Sequence, residues 1–137
     1  MDKIHINSSK EKKMVGIDII KTSRMQNMIE KFDQKALKKF LHDDEISLIK
    51  NYKTAAGFWA VKEAVSKALG TGIGQECSFF DIKIYKDNKG APKLSFSKKL
   101  VENFQLIDAN LSITHDGDYA IAVVILQTPF SKKLKSF

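Results

Sequence analysis

Two ionisable side chains, Glu63 and Lys67, stand four residues apart in a segment of helical periodicity that ends at a group of glycines. On a helix, such residues share one face, one turn from each other. A carboxylate and an ammonium side by side near a glycine-rich turn can bind a metal ion and a phosphate together. The pair can also form an ordinary surface salt bridge, because glutamate four residues before lysine is a favoured helical pair. The segment alone favours the salt bridge.

A second carboxylate, Asp18, interrupts the apolar run 14–20, whose composition is typical of a buried strand. Burying a lone carboxylate is costly, so Asp18 needs a partner, a ligand or a metal. Two carboxylates, completed by water and phosphate oxygens, suit Mg²⁺. Zinc is disfavoured, since the three histidines are scattered and there is one cysteine. We therefore predict a magnesium site at Asp18 and Glu63, with Lys67 neutralising phosphate charge beside it.

The glycines at 70, 72 and 74 follow the predicted helix. Gly70 fits a left-handed residue that ends a helix, and the other two indicate a backbone that approaches a ligand closely. The segment is not a P-loop, because in that motif the glycines precede the helix.

The segment Leu111–His115 is predicted to be a strand in which Ser112 faces away from Leu111 and Ile113, with His115 at its end. Ser112 and His115 thus fall on opposite faces, and no third acid is evident. This disfavours a Ser–His nucleophile pair.

Periodicity predicts the elements that position these side chains. The order of one strand, several helices and then antiparallel strands defines an α+β protein. A third short helix is expected to begin after Asp43, which would cap it. The predicted strands are 14–20, 80–85, 92–96, 110–115 and 119–126, and the predicted helical segments are 25–32, 37–41, the short helix after 43, 53–69 and 98–104.

Length and composition limit the possible functions. The 137 residues suit one domain, which we place at 14–127 between a flexible extension (1–13) and a basic tail (128–137). The net charge of +7 favours an acidic partner, but a single arginine, Arg24, disfavours sequence-specific nucleic-acid binding. No apolar run is long enough to span a membrane. Cys77 is the only cysteine; we interpret it as a buried small residue and expect a cytoplasmic location.

Four motifs, taken in order, resemble the signatures of one family, the holo-(acyl-carrier-protein) synthases, which are small bacterial 4′-phosphopantetheinyl transferases. The resemblance covers nearly everything from Met14 to about Leu126. The motifs are V-G-I-D-I-I at 15–20, S-R-M at 23–25, W-A-V-K-E-A-V-S-K-A-L-G-T-G-I-G at 59–74 and L-S-I-T-H at 111–115.

The resemblance implies transfer of 4′-phosphopantetheine from coenzyme A to a serine of apo acyl carrier protein, in support of fatty acid biosynthesis. It implies that Asp18 and Glu63 bind Mg²⁺ and act in catalysis together with Lys67. It also implies that Arg24 docks the acidic carrier protein, that the antiparallel sheet packs on the long central helix, and that homotrimers hold active sites between protomers. The residues it implies for coenzyme A binding are Lys62, Lys67, Gly70, Gly72, Ser112 and His115.

Two departures from the family pattern stand out. Phe58 lies where many relatives have arginine, so a basic contact is either absent or supplied by another lysine. The segment 42–45 reads His-Asp-Asp-Glu in place of Thr-x-x-Glu.

The identity of the general base and two functional alternatives stay open at this point. The general base is expected to be Asp18 or Glu63 acting through a metal-bound water, with Lys67 protonating the leaving phosphate. A non-catalytic module that binds coenzyme A or an acidic protein is the main rival, and lysine-mediated nucleic-acid binding would explain the charge but none of the motifs.

Overall fold

Residues 11–130 form one strand, then four helices, and then four further strands with a helix among them. The computed structural model describes residues 11–130 and 134–137. The predicted N-terminal extension therefore lies mostly outside the described residues, as does part of the predicted tail. The elements are β1 (Lys12–Lys21), α1 (Thr22–Phe32), α2 (Gln34–Lys38), α3 (Asp43–Ile46), α4 (Tyr52–Leu69), β2 (Ile82–Lys86), β3 (Pro92–Phe96), α5 (Lys98–Phe104), β4 (Asp108–Asp116) and β5 (Tyr119–Thr128).

Five strands form two antiparallel sheets. One sheet has the order β1-β5-β4, and the other is the hairpin β2-β3. The first strand therefore pairs with the last, and Asp18 lies opposite Ala122. Because successive strand residues point to opposite faces, Gly16, Asp18 and Ile20 face α4, while the intervening residues of β1 face outward.

The long helix α4 is the centre of the core, and the prediction for 53–69 is confirmed. Its first turn is capped by the Asn51 side chain, which accepts hydrogen bonds from the backbone nitrogens of Lys53 at 2.9 Å and Thr54 at 3.2 Å. It ends at Gly70, whose φ of 79° is left-handed. Residues on its sheet-facing side are buried, namely Ala60, Val61, Ala64, Val65 and Ala68.

Gly16 allows β1 to lie unusually close to α4. A Cβ atom built on Gly16 would overlap the carbonyl oxygen of Ala64 and lie 2.8 Å from the nitrogen of Ala68. Backbone meets backbone here, so no flexible side chain can move aside. The residue two positions later on the same face is Asp18, which this contact holds against α4.

Several predicted boundaries shift. Asp43 is the first residue of α3, so the prediction that it caps this helix is wrong; His42 is in the cap position, and its backbone nitrogen donates to Glu45 Oε1 at 2.8 Å. The strand expected from residue 80 begins at Ile82, because Phe79–Asp81 form a 3₁₀ turn capped by the Ser78 side chain. The hairpin and α5 are confirmed.

Two further expectations can be compared with the structure. Cys77 is fully buried, and burial raises the pKa of its thiol to about 11, so the thiol is protonated at neutral pH. No helix in the described part of the chain combines the length and apolar character needed to cross a membrane.

The replacement Gly16→Ala is expected to lower the free energy of unfolding by at least about 1–3 kcal/mol, because β1 must move away from α4. Urea denaturation measures this change. Gly74→Ala is the matched control, since a Cβ there meets nothing within 4 Å and no unusual φ is required. Equal stability of the two variants would contradict the close contact.

Candidate active site

Asp18 and Lys67 meet where β1 crosses the C-terminal half of α4. Lys67 Nζ donates to Asp18 Oδ1 at 2.8 Å and to the carbonyl oxygen of Ile17 at 3.2 Å. The Asp18 side chain is 14% exposed and that of Lys67 is 52% exposed. Among the described ion pairs, Lys67 contacts Asp18 and not Glu63, so the interpretation of Glu63 and Lys67 as a helical salt bridge is wrong.

Glu63 lies one turn before Lys67 and is half-buried. Burial raises the pKa of its carboxyl, and the negative charge of Asp18 raises it further, while Lys67 and Arg24 act in the opposite direction. The two carboxylates therefore influence each other across the junction of β1 and α4. Burial, more than the neighbouring charge, therefore disfavours the ionised form of Glu63.

This donor set fits a magnesium ion. Mg²⁺ needs few protein carboxylates, since it retains waters and takes oxygens from substrate phosphates. Asp18 and Glu63 supply two carboxylates from facing elements. Among residues 11–130 and 134–137, no group of three or more His, Cys, Asp or Glu side chains is placed to hold a metal ion. A metal at this position would thus depend on ligand oxygens to complete its coordination.

His115 lies at the other end of α4. Its Nε2 is 2.9 Å from the carbonyl oxygen of Lys53; because a carbonyl only accepts, Nε2 carries a proton in this contact. Gly57 permits this approach, since a Cβ there would lie 3.2 Å from Ile113 Cγ2 and 3.4 Å from His115 Nε2. The histidine is therefore fixed in orientation by the helix.

A cleft of about 280 Å³ opens beside His115. Two lysines that the sequence analysis did not single out, Lys50 and Lys86, line it. Neither belongs to a motif: Lys50 precedes the cap of α4, and Lys86 ends β2 before the hairpin turn. The remaining lining residues are Leu48, Thr54, Gly57, Phe58, Pro92 and Ile113.

The departure at Phe58 has a clear structural outcome. Its side chain is 2% exposed and belongs to the core. Positive charge in this cleft comes instead from Lys50 and Lys86, which reach it from two different elements. Lys50 and Lys86 are therefore the two candidates for the lysine that is expected to supply the basic contact.

The glycine segment follows α4 directly. Gly70 and Gly72 have left-handed φ values of 79° and 67°, which explains glycine at both positions. A Cβ at Gly70, Gly72 or Gly74 would meet nothing within 4 Å. Within one chain these glycines therefore leave open space beyond the end of the helix.

Lys62 does not face the cleft. Its Nζ is fully buried and donates three hydrogen bonds, to the carbonyl oxygen of Phe40 at 2.8 Å, to Glu45 Oε1 at 2.8 Å and to the carbonyl oxygen of Phe79 at 3.0 Å. An ammonium has three donors, and all are used inside the protein. Burial lowers the pKa of Lys62, and Glu45 opposes that shift. The prediction that Lys62 binds the cofactor is corrected: it joins α4 to α3 and the 3₁₀ turn.

Ser112 and Arg24 lie apart from this cluster. Ser112 is exposed on the outer face of β4, opposite Val123, so its expected separation from His115 is confirmed and a Ser–His pair is excluded within one chain. Arg24 is exposed in the first turn of α1. Its charge reaches Glu63 and opposes the rise in the pKa of that carboxyl.

Comparison with known proteins identifies the class. The family model described as the 4′-phosphopantetheinyl transferase superfamily matches residues 14–124, and the chain belongs to this superfamily. Within it, the most similar relatives place the chain among the holo-(acyl-carrier-protein) synthases. The relative from Sulfurimonas denitrificans is 56% identical over 121 residues, covering 88% of this chain and 100% of its own length. The relative from Nautilia profundicola is 59% identical, covering 82% of this chain and 98% of its own length.

Solved structures agree. The holo-(acyl-carrier-protein) synthase of Helicobacter pylori in complex with coenzyme A has a TM-score of 0.80 and 45% identity, covering 82% of this chain and 99% of that one. The enzyme of Bacillus anthracis, in complex with CoA (3′,5′-ADP), has a TM-score of 0.70 and 37% identity, covering 84% and 96%. The predicted family and the α+β fold are confirmed.

The replacement Glu63→Gln is expected to raise Tm at neutral pH. Folding raises the pKa of Glu63 above its ordinary value of 4.5, so the folded chain holds this proton more tightly than the unfolded chain. Stability therefore falls as the pH rises from 4.5 through the folded pKa, and the charged carboxylate destabilises the fold at neutral pH.

Thermal unfolding across pH checks this effect. The advantage of Glu63→Gln should disappear as the pH is lowered below 4.5. Glu102→Gln is the control, because it removes one carboxylate from the exposed surface of α5. A lower Tm for Glu63→Gln at neutral pH would contradict the destabilising burial of this carboxylate.

Proposed function

We propose that this chain transfers 4′-phosphopantetheine from coenzyme A to a serine of apo acyl carrier protein, giving the holo carrier and adenosine 3′,5′-bisphosphate. The observation that carries the proposal is the cluster of Asp18, Glu63 and Lys67 at one end of α4, with the basic cleft at His115 toward the other. The names of the similar proteins, and the coenzyme A bound by one solved relative, support the same substrates.

The proposed position of coenzyme A follows the charges along α4. Lys50 and Lys86 offer donors to the phosphorylated nucleotide portion in the cleft, beside His115. Lys67 offers its ammonium to the pyrophosphate. Gly70 and Gly72 leave room beyond the helix end, where the pantetheine arm can leave the cleft.

Asp18 and Glu63 are the residues that would hold Mg²⁺. When bound, the ion would withdraw negative charge from the pyrophosphate and help to orient it. The residues of the chain do the remaining work. Lys67 neutralises charge on the phosphate that leaves, and the flanking elements hold coenzyme A in line with the incoming serine.

The reaction exchanges one phosphorus–oxygen bond for another. The serine oxygen bonds to the β-phosphorus of coenzyme A, and the bond from that phosphorus to the bridging pyrophosphate oxygen breaks. Adenosine 3′,5′-bisphosphate leaves with the bridging oxygen, which Lys67 can protonate. The proton released by serine has two carboxylate acceptors in the site, Asp18 and Glu63.

The carrier protein is proposed to dock on the exposed basic surface of α1. Arg24 lies there, and its charge reaches Glu63. Farther along, Lys31 in α1 and Lys39 just after α2 place their Nζ atoms 5.2 Å and 4.3 Å from the centre of the Phe32 ring. Such a basic and aromatic surface suits an acidic protein, and the net charge of +7 favours the encounter.

The outer face of the β1-β5-β4 sheet supports the proposed homotrimer. Val15, Ile17 and Ile19 are 63%, 57% and 57% exposed, and their partners on β5 are Ile125, Val123 and Ile121. A contiguous apolar face of this kind marks a protein interface. Ser112 borders this face, so a second protomer could bring it into a neighbouring site.

Light scattering measures the assembly, and Val15→Lys is the variant that should dissociate. A monomeric parent chain would refute the proposed homotrimer.

We also propose that the reaction takes place in the cytoplasm. The support is chemical: Cys77 is a buried protonated thiol without a disulfide partner among the described residues, which suits a reducing compartment. Fractionation of the source cells, with detection of the protein, tests the location; recovery outside the cytoplasm would refute it.

A transfer assay tests the function. With coenzyme A and Mg²⁺, apo carrier protein should gain the mass of one phosphopantetheine. Asp18→Asn and Glu63→Gln should each reduce kcat/KM by about a hundredfold or more, because each replacement removes a carboxylate proposed to hold the Mg²⁺ that neutralises the pyrophosphate. Glu102→Gln, on exposed α5, should retain the parent rate. Coenzyme A binding without any mass gain would indicate the non-catalytic module instead.

The replacement Arg24→Ala is expected to raise the apparent KM for carrier protein severalfold and leave that for coenzyme A unchanged, since a rim charge mainly affects encounter with the charged partner. Steady-state kinetics at two salt concentrations measure this, with Lys98→Ala on α5 as the control. An equal loss for both substrates would place Arg24 within the phosphate site, through its influence on Glu63.

A further inference from the structure

The carboxylate proposed to hold the metal already holds a cation of the chain itself. Lys67 Nζ lies 2.8 Å from Asp18 Oδ1 and 3.2 Å from the carbonyl oxygen of Ile17. Asp18 is largely buried, with 14% of its side chain exposed. The ammonium thus compensates a carboxylate that burial would otherwise leave without a partner.

A metal ion and this ammonium compete for Asp18. Lys67 occupies Oδ1, and a metal ion on either oxygen of this one carboxylate would lie close enough to the ammonium for the two cations to repel each other. Lys67 can move, because its side chain is flexible and 52% exposed. Asp18 is held by β1 and by the contact of Gly16 with α4. The lysine is therefore the partner that leaves.

We propose that Lys67 is a placeholder cation that makes metal binding at Asp18 dependent on the pyrophosphate of coenzyme A. This inference rests on the proposed function. With the cleft empty, a metal ion must displace Lys67 from Asp18 and leave the ammonium without an anion. With coenzyme A present, the displaced ammonium gains the pyrophosphate as its new partner.

The consequence is a reciprocal coupling between metal and coenzyme A. Coenzyme A supplies an anion for the ammonium that the metal displaces, and the metal frees this ammonium to bind the pyrophosphate. Each ligand therefore tightens the binding of the other by the same factor. Glu63 adds a second carboxylate that Lys67 does not contact. It can attract the metal while Asp18 is still paired, which provides a first point of attachment.

Titration of the protein with Mn²⁺, followed by electron paramagnetic resonance of the free ion, tests the coupling directly. Lys67→Met is expected to bind Mn²⁺ alone about fivefold or more tightly than the parent, a ratio at the lower end of couplings between ligands. Coenzyme A should tighten Mn²⁺ binding strongly in the parent and weakly in Lys67→Met. A protein-free titration of Mn²⁺ with coenzyme A subtracts the complex formed in solution.

Two variants control for charge and geometry. Lys98→Met removes one positive charge from exposed α5 and should leave Mn²⁺ affinity unchanged. Lys67→Arg retains a cation for Asp18 and should bind Mn²⁺ alone as weakly as the parent. Circular dichroism confirms that each variant is folded, and Lys67→Gln serves if Lys67→Met is not.

The outcomes separate this inference from the proposed function. If Lys67→Met binds Mn²⁺ alone no more tightly than the parent, or if coenzyme A tightens Mn²⁺ equally in both, the placeholder role is refuted. If Asp18→Asn leaves Mn²⁺ affinity unchanged, the metal site itself is refuted together with the placeholder. The transfer assay decides the function independently of either result.

Discussion

The close contact between β1 and α4 is the constraint on which the rest of the structure depends. Gly16 lets the two backbones touch at Ala64, and this contact places Asp18 against the helix that carries Glu63 and Lys67. The two carboxylates come from chain segments that are far apart in sequence. The effect of the Asp18 charge on the pKa of Glu63 is therefore a result of tertiary packing. A larger residue at position 16 would move β1 away from α4. It would therefore separate Asp18 from Glu63 and Lys67 as well as disturb the packing of the core.

Two lysines of one helix segment serve different purposes because of the faces on which they lie. Lys62 points into the core, where Glu45 and two carbonyl oxygens use all its donors. Breaking such a buried pair by removing one partner is costly, so this lysine fixes the helix in place. Lys67 lies on the exposed face and pairs with Asp18. The Lys67 side chain of this pair is half-exposed and flexible, so it can exchange its partner, which is what a site that admits a charged ligand requires.

Much of the fold follows from local patterns. The period of α4, its glycine stop and the hairpin turn predict elements that the structure confirms. The motif containing Glu63 and Lys67, joined to Asp18 and His115, indicates the family that the relatives confirm. The prediction that Asp43 caps α3 is wrong. The Glu45 carboxylate accepts a hydrogen bond from the backbone nitrogen of His42, so the cap lies one position earlier, at His42.

The sequence by itself determined the class of protein, the helix and strand types and most of the reactive residues, since periodicity and motif spacing are local properties of the chain. Only the tertiary structure decided their partners. It paired Lys67 with Asp18, enclosed Lys62 and brought Lys50 and Lys86 together beside His115. The physical reason is that the energy of a charge depends on burial and on neighbours from other elements, neither of which spacing along one helix records.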